Sequence, residues 1–66
     1  MESFKERVVE EKKQLSEKIV KLVSFIETNQ EYNQLDKDHQ NLLLDQLHVM
    51  ISYSQILLRR LKLLEA

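Results

Sequence analysis

Five polar residues set among apolar stripes are the ones whose type and spacing could serve binding. Gln46, Tyr53 and Arg60 recur every seven residues. At about 100° per residue they therefore form one column of a helix, beside columns that are apolar. Glu11 and Lys18 share a second column with Phe4 and Phe25. The chemistry is that of anion and aromatic recognition. A guanidinium at Arg60 can grip a phosphate with two parallel N–H bonds, and Lys18 supplies a point charge. The Tyr53 ring offers a surface on which a base can stack. A plainer assignment uses the same residues: Glu11 pairs with Arg60, and the Tyr53 hydroxyl fixes register at a subunit boundary. The sequence leaves both open.

No catalytic constellation accompanies them. His39 and His48 stand nine residues apart, without an i,i+4 partner or a carboxylate at metal-ligand spacing. The carboxylate pairs Glu10/Glu11 and Asp36/Asp38 have the pattern of solvated helix surface rather than of an acid–base pair. Ser52 and Ser54 flank Tyr53 without any histidine signature nearby. Glycine is absent, and phosphate loops, dinucleotide fingerprints and nucleophile elbows all require it. Cysteine is absent as well, which removes disulfides and thiolate zinc sites. The expectation is a binding protein that is not an enzyme and carries neither metal nor cofactor.

A basic cluster closes the chain. Arg59, Arg60 and Lys62 come near Lys5 and Arg7 if the two halves of the chain run antiparallel. Cations at a helix C-terminus complement the helix dipole, which accounts for them without a polyanion. The net charge of −1 is not that of a dedicated nucleic-acid binder. No apolar run approaches the ~20 residues that span a bilayer, and Met1–Glu6 lacks the apolar region of a signal peptide. These features predict a cytoplasmic protein with no membrane span.

The elements that must position these residues are two long helices. Sixty-six residues without proline or glycine allow one domain, and its class is all-α: an antiparallel two-helix hairpin. Helix 1 is expected over about 3–28, with Ser3 as N-cap and Glu6 completing a capping box. Its stripe is Phe4, Val8, Leu15, Ile19, Leu22 and Ile26, and Glu17 is placed to pair with Lys21. The polar stretch 29–36 is a connector with room for one helical turn, Tyr32 and Leu35 closing the end of the core. Asp36 is the expected N-cap of helix 2, which continues to about 64.

Fourteen of the twenty-three residues from Leu42 to Leu64 are apolar. They cover roughly 200° of helix, against roughly 100° for an ordinary surface helix. The unbroken four-three seam 43/47/50/54/57/61/64 faces helix 1, giving layers such as Leu22 with Leu47, Ile19 with Met50, and Phe4 with Leu64. Two flanks are left over: Leu42, Val49, Ile56 and Leu63 on one side, Leu44, Ile51 and Leu58 on the other. Burial of each large side chain is worth about 1.5–3 kcal/mol, so these flanks predict assembly into a homo-oligomeric helical bundle.

The pattern Glu6-Arg7-Val8-Val9, Glu11, Leu15, Lys18-Ile19, Leu22, Phe25-Ile26, Leu35, Leu43-Leu44, Gln46-Leu47, Met50, Tyr53, Ile56-Leu57, Arg60 is similar to short helical-hairpin proteins of bacteriophages and prophages. Those hairpins resemble in architecture the phage sponge proteins that counter the CBASS and Thoeris defences. The resemblance implies a counter-defence protein that captures a cyclic nucleotide between subunits of a homo-oligomer. The chemistry of the residues nominates Lys18, Tyr53 and Arg60 as ligand-binding, with Arg7 and Arg59 from the basic end. The main alternative is an inhibitor or adaptor that lays an exposed helical face against a host defence protein. A structural coiled-coil segment is the third.

Overall fold

The computed structural model describes residues 3–65. Three helices follow one another: α1 (Phe4–Thr28), α2 (Gln30–Gln34) and α3 (Lys37–Glu65). Ser3 caps α1, its hydroxyl accepting from the Glu6 N–H at 3.1 Å. Asp36 caps α3, Oδ1 accepting from the His39 N–H at 2.7 Å. These bonds satisfy amide donors that the first turn of a helix leaves without partners. Replacing Asp36 by alanine is expected to cost about 1 kcal/mol. Urea unfolding followed by circular dichroism checks it, and an unchanged midpoint would show the cap to be idle.

The connector is more ordered than its composition suggests, and it holds a five-residue helix. Asn29 serves both sides. Its N–H donates to the Phe25 carbonyl at 3.1 Å, and its side-chain oxygen accepts from the Glu31 N–H at 2.8 Å. Gln40 then ties the corner together, Nε2 donating to the carbonyls of Tyr32 (2.8 Å) and Leu35 (3.1 Å). The Tyr32 ring meets Phe25 edge-on, with centroids 6.1 Å apart, and so closes that end of the core. No described residue has positive φ, which is why the turn forms without glycine.

The long helices run antiparallel. At the far end from the connector, Lys5 at the start of α1 meets Glu65 at the end of α3, 3.7 Å apart. The molecule measures 46 × 18 × 15 Å, close to the roughly 43 Å expected of α3 alone at about 1.5 Å per residue. Val8, Leu15 and Leu57 are buried, with Ile19, Met50 and Leu61 packed against them. Leu57 is wholly excluded from water. Glu11 and Lys12 are half-buried, their aliphatic stems taking up space beside the core.

The seam expected on α3 is buried or half-buried from Leu43 to Leu61. Its last member departs. Leu64 and Phe4 both remain exposed, because α1 begins at Phe4 and no apolar side chain among the described residues lies beyond that layer. Both flanks lie open to solvent. Leu42 is 66% exposed, Val49 68%, Ile56 53% and Leu63 76%. Leu44, Ile51 and Leu58 are less open, near the lower edge of exposure. Among the described residues no helix is long and apolar enough to cross a membrane.

Candidate functional site

At the open end of the hairpin, one aromatic ring organises two cations. Phe4, Arg7, Val8 and Glu11 follow at i, i+3, i+4 and i+7 on α1, so they share one face. Arg60 joins them from α3. Its Cζ lies 5.4 Å from the centroid of the Phe4 ring, and that of Arg7 lies 5.9 Å away. Both are within cation–π range. These five residues line an open cleft of about 310 Å³. A smaller hollow of about 200 Å³ adjoins it, between Phe4, Arg60, Leu63 and Leu64.

The ion pair expected between Glu11 and Arg60 does not form. Among the described residues the ion pair within 4 Å is Lys5 with Glu65. The Arg60 guanidinium is placed over the Phe4 ring instead, a contact that leaves its N–H edge free. Glu17 and Lys21 likewise stay apart, as exposed i,i+4 pairs gain only about 0.3–0.5 kcal/mol from closing. Among the described residues neither Arg7 nor Arg60 donates a hydrogen bond to the protein. Two guanidinium edges thus face a cleft that holds one carboxylate, an arrangement suited to an anion with oxygens to accept from both.

The other expected site residues are placed differently. Arg59 is exposed and, one residue from Arg60, points about 100° away from the cleft. Lys18 is exposed and lies roughly 16 Å along α1 from Arg7. Tyr53, 40% exposed, lies roughly 10 Å along α3 from Arg60. Within one copy the hairpin brings Arg7 and Arg60 together and leaves Lys18 and Tyr53 further along the same side. Phe4 and Glu11 complete the lining. Sequence reasoning assigned Phe4 to a core layer, although its shared column with Glu11 and Lys18 was the available signal.

A family profile decides the affiliation, matching residues 2–63. The chain belongs to the Sequestin family. The match covers α1, the connector, α3 up to Leu63 and every residue of the cleft. No curated protein and no solved structure matches the chain. The Sequestin name denotes sequestration, which accords with a site that gathers binding groups. It also accords with the likeness to sequestering hairpins of phage type.

Proposed function

We propose that this Sequestin-family chain is a non-catalytic, phage-type counter-defence protein that withholds a cyclic nucleotide signal by binding it where copies of the hairpin meet. The observation that carries the proposal is the pair of guanidinium groups gathered on Phe4, their hydrogen-bonding edges unused by the protein. Phosphates are held by Arg60 and Arg7 through charge-assisted N–H bonds. Tyr53 stacks on a base, and Lys18 supplies further positive charge along the same side. The cleft of about 310 Å³ lies at the lower limit of ligand pockets, which hold about 300–1,000 Å³. A dinucleotide therefore needs walls from a neighbouring copy, and the open flanks of α3 are where one would sit. Sequestration requires affinity and stoichiometry, not turnover, and such a signal is met in the bacterial cytoplasm.

Calorimetric titration of the purified protein with a panel of cyclic di- and trinucleotides tests this reading. Saturable binding is expected, with the nucleotide recovered unaltered after heat denaturation. Arg60→Ala should weaken binding about 10–100-fold, since hydrogen bonds to charged groups contribute about 1.5–3 kcal/mol. Absence of both heat and thermal shift at micromolar ligand would end the proposal. The openness of Leu42, Val49 and Leu63 also suits a helical face laid against a host defence protein. One stoichiometric partner retained from host lysate, with no nucleotide bound, would favour that reading.

A further inference from the structure

Glu11 is the acid among the five residues of the cleft, and its charge opposes the anion that the two guanidinium groups attract. A site built for bare phosphate gains nothing from a carboxylate beside it, because like charges repel. Glu11 is nonetheless half-buried in the lining. Among the described residues no cation lies within 4 Å of its carboxylate, and no protein group donates a hydrogen bond to it. Arg7 and Arg60 lie over the Phe4 ring instead. The cleft therefore presents unused donors and an unused acceptor side by side.

Such a combination selects its ligand. The anion that fits must carry, next to its phosphate, an N–H or O–H that donates to the carboxylate. Spacing says which. Glu11 stands four residues after Arg7 on α1, a separation of about 5–6 Å between Cβ atoms on one helix face. In a nucleotide the group that close to a phosphate is a sugar hydroxyl, since the 2′-hydroxyl sits on the carbon next to the one bearing a 3′-phosphate. The hydrogen-bonding edge of the base lies farther off, across the sugar and the base ring. The ring proposed to stack on a base, Tyr53, is roughly 10 Å along α3 from Arg60, whereas Phe4 is engaged by the two guanidinium groups. The cleft is thus left to sugar and phosphate. A carboxylate reads ribose in the same way in dinucleotide-binding folds, where an acid bonds the 2′-hydroxyl.

We infer that Glu11 determines the sugar specificity of the cleft: its carboxylate accepts from the 2′-hydroxyl of a ribose whose 3′-phosphate is held by Arg7 and Arg60. Ribonucleotides bind, and 2′-deoxynucleotides are rejected because without the hydroxyl the carboxylate faces the phosphate uncompensated. The inference rests on the nucleotide reading proposed above, but it requires neither a cyclic ligand nor a particular arrangement of copies.

Calorimetry with matched ligands tests it. One set is the 3′,3′-linked cyclic dinucleotides of adenine and guanine, each against its 2′-deoxy analogue. The other is adenosine 3′-phosphate against 2′-deoxyadenosine 3′-phosphate. The ribose form should bind about 10–100-fold more tightly in each pair, the range for a hydrogen bond to a charged group. Glu11→Ala should bring the two forms to equal affinity, and Glu11→Gln, which keeps an acceptor oxygen, should retain part of the difference. Inorganic tripolyphosphate should bind Glu11→Ala more tightly than the unaltered protein, whereas a merely structural role would weaken all ligands alike. Equal affinity of the unaltered protein for ribose and deoxyribose forms would overturn the inference and leave nucleotide capture intact. Discrimination that survives Glu11→Ala would overturn it too. Preference for adenosine 3′-phosphate without binding of any cyclic nucleotide would uphold the inference and remove the cyclic signal. Absence of binding by every ligand would overturn both.

Discussion

Leu57→Ala is expected to lower the stability of this chain by about 2–5 kcal/mol, the cost of emptying a well-packed core position. Leu57 has no exposed surface, and among the described residues the buried core around it consists of Val8 and Leu15. Ile19, Met50 and Leu61 border that core but are themselves half open, so few side chains can collapse into the space. Small domains have about 5–15 kcal/mol in total, and a hairpin this thin belongs at the lower end. A loss of that size therefore shifts a large share of the chain towards the unfolded state. Urea titration followed by far-ultraviolet circular dichroism measures it. Val20→Ala, at a position 67% exposed on α1 and away from the α3 flanks, is the control, and its effect should be small. A drop below about 1 kcal/mol for Leu57→Ala, under the range typical of such truncations, would mean that the core does not centre on this layer.

Both long helices were legible because their boundaries are written in side chains that act locally. Ser3 and Asp36 cap from where the sequence places them, and the apolar stripes between them follow the helical repeat. The short helix was less legible. It depends on Asn29 bonding in both directions and on Gln40 reaching back to two carbonyls. Such a latch is invisible to periodicity, which reports on faces and not on individual hydrogen bonds. The cleft shows the same division. Periodicity placed Arg60 at the edge of the buried seam, and antiparallel pairing brought Arg7 near it. It could not tell whether the Arg60 guanidinium would choose the carboxylate of Glu11 or the ring of Phe4. That choice depends on a few ångströms of side-chain reach, and the ring won. Heptad columns likewise put Tyr53 in the column of Arg60, and the helical rise alone sets it roughly 10 Å away along the axis.

The double substitution Val49→Glu/Ile56→Glu carries the largest expected effect on association. In the single hairpin both side chains lie mostly in water, so carboxylates there disturb little of the fold. Where two copies meet over the open α3 flank, as the proposed function requires, both are covered, and symmetry makes each substitution count twice. Four large apolar contacts are lost at about 1.5–3 kcal/mol each, before any penalty for burying charge. Even the lower figure, about 6 kcal/mol, weakens association more than about ten-thousand-fold, since about 1.4 kcal/mol is a factor of ten. Sedimentation at micromolar concentration should therefore show the variant as a single 7.9 kDa chain with most of its helix content retained. Nucleotide capture should fall with it, although Phe4, Arg7 and Arg60 are untouched, because each cleft loses the neighbouring copy that walls it in the proposed function. Arg60→Ala gives the opposite pattern, with binding weakened and the assembly kept, since the flanks of α3 retain their apolar members. If the double variant still associates like the unaltered protein, α3 is not the meeting surface, and the second walls of the clefts must come from elsewhere.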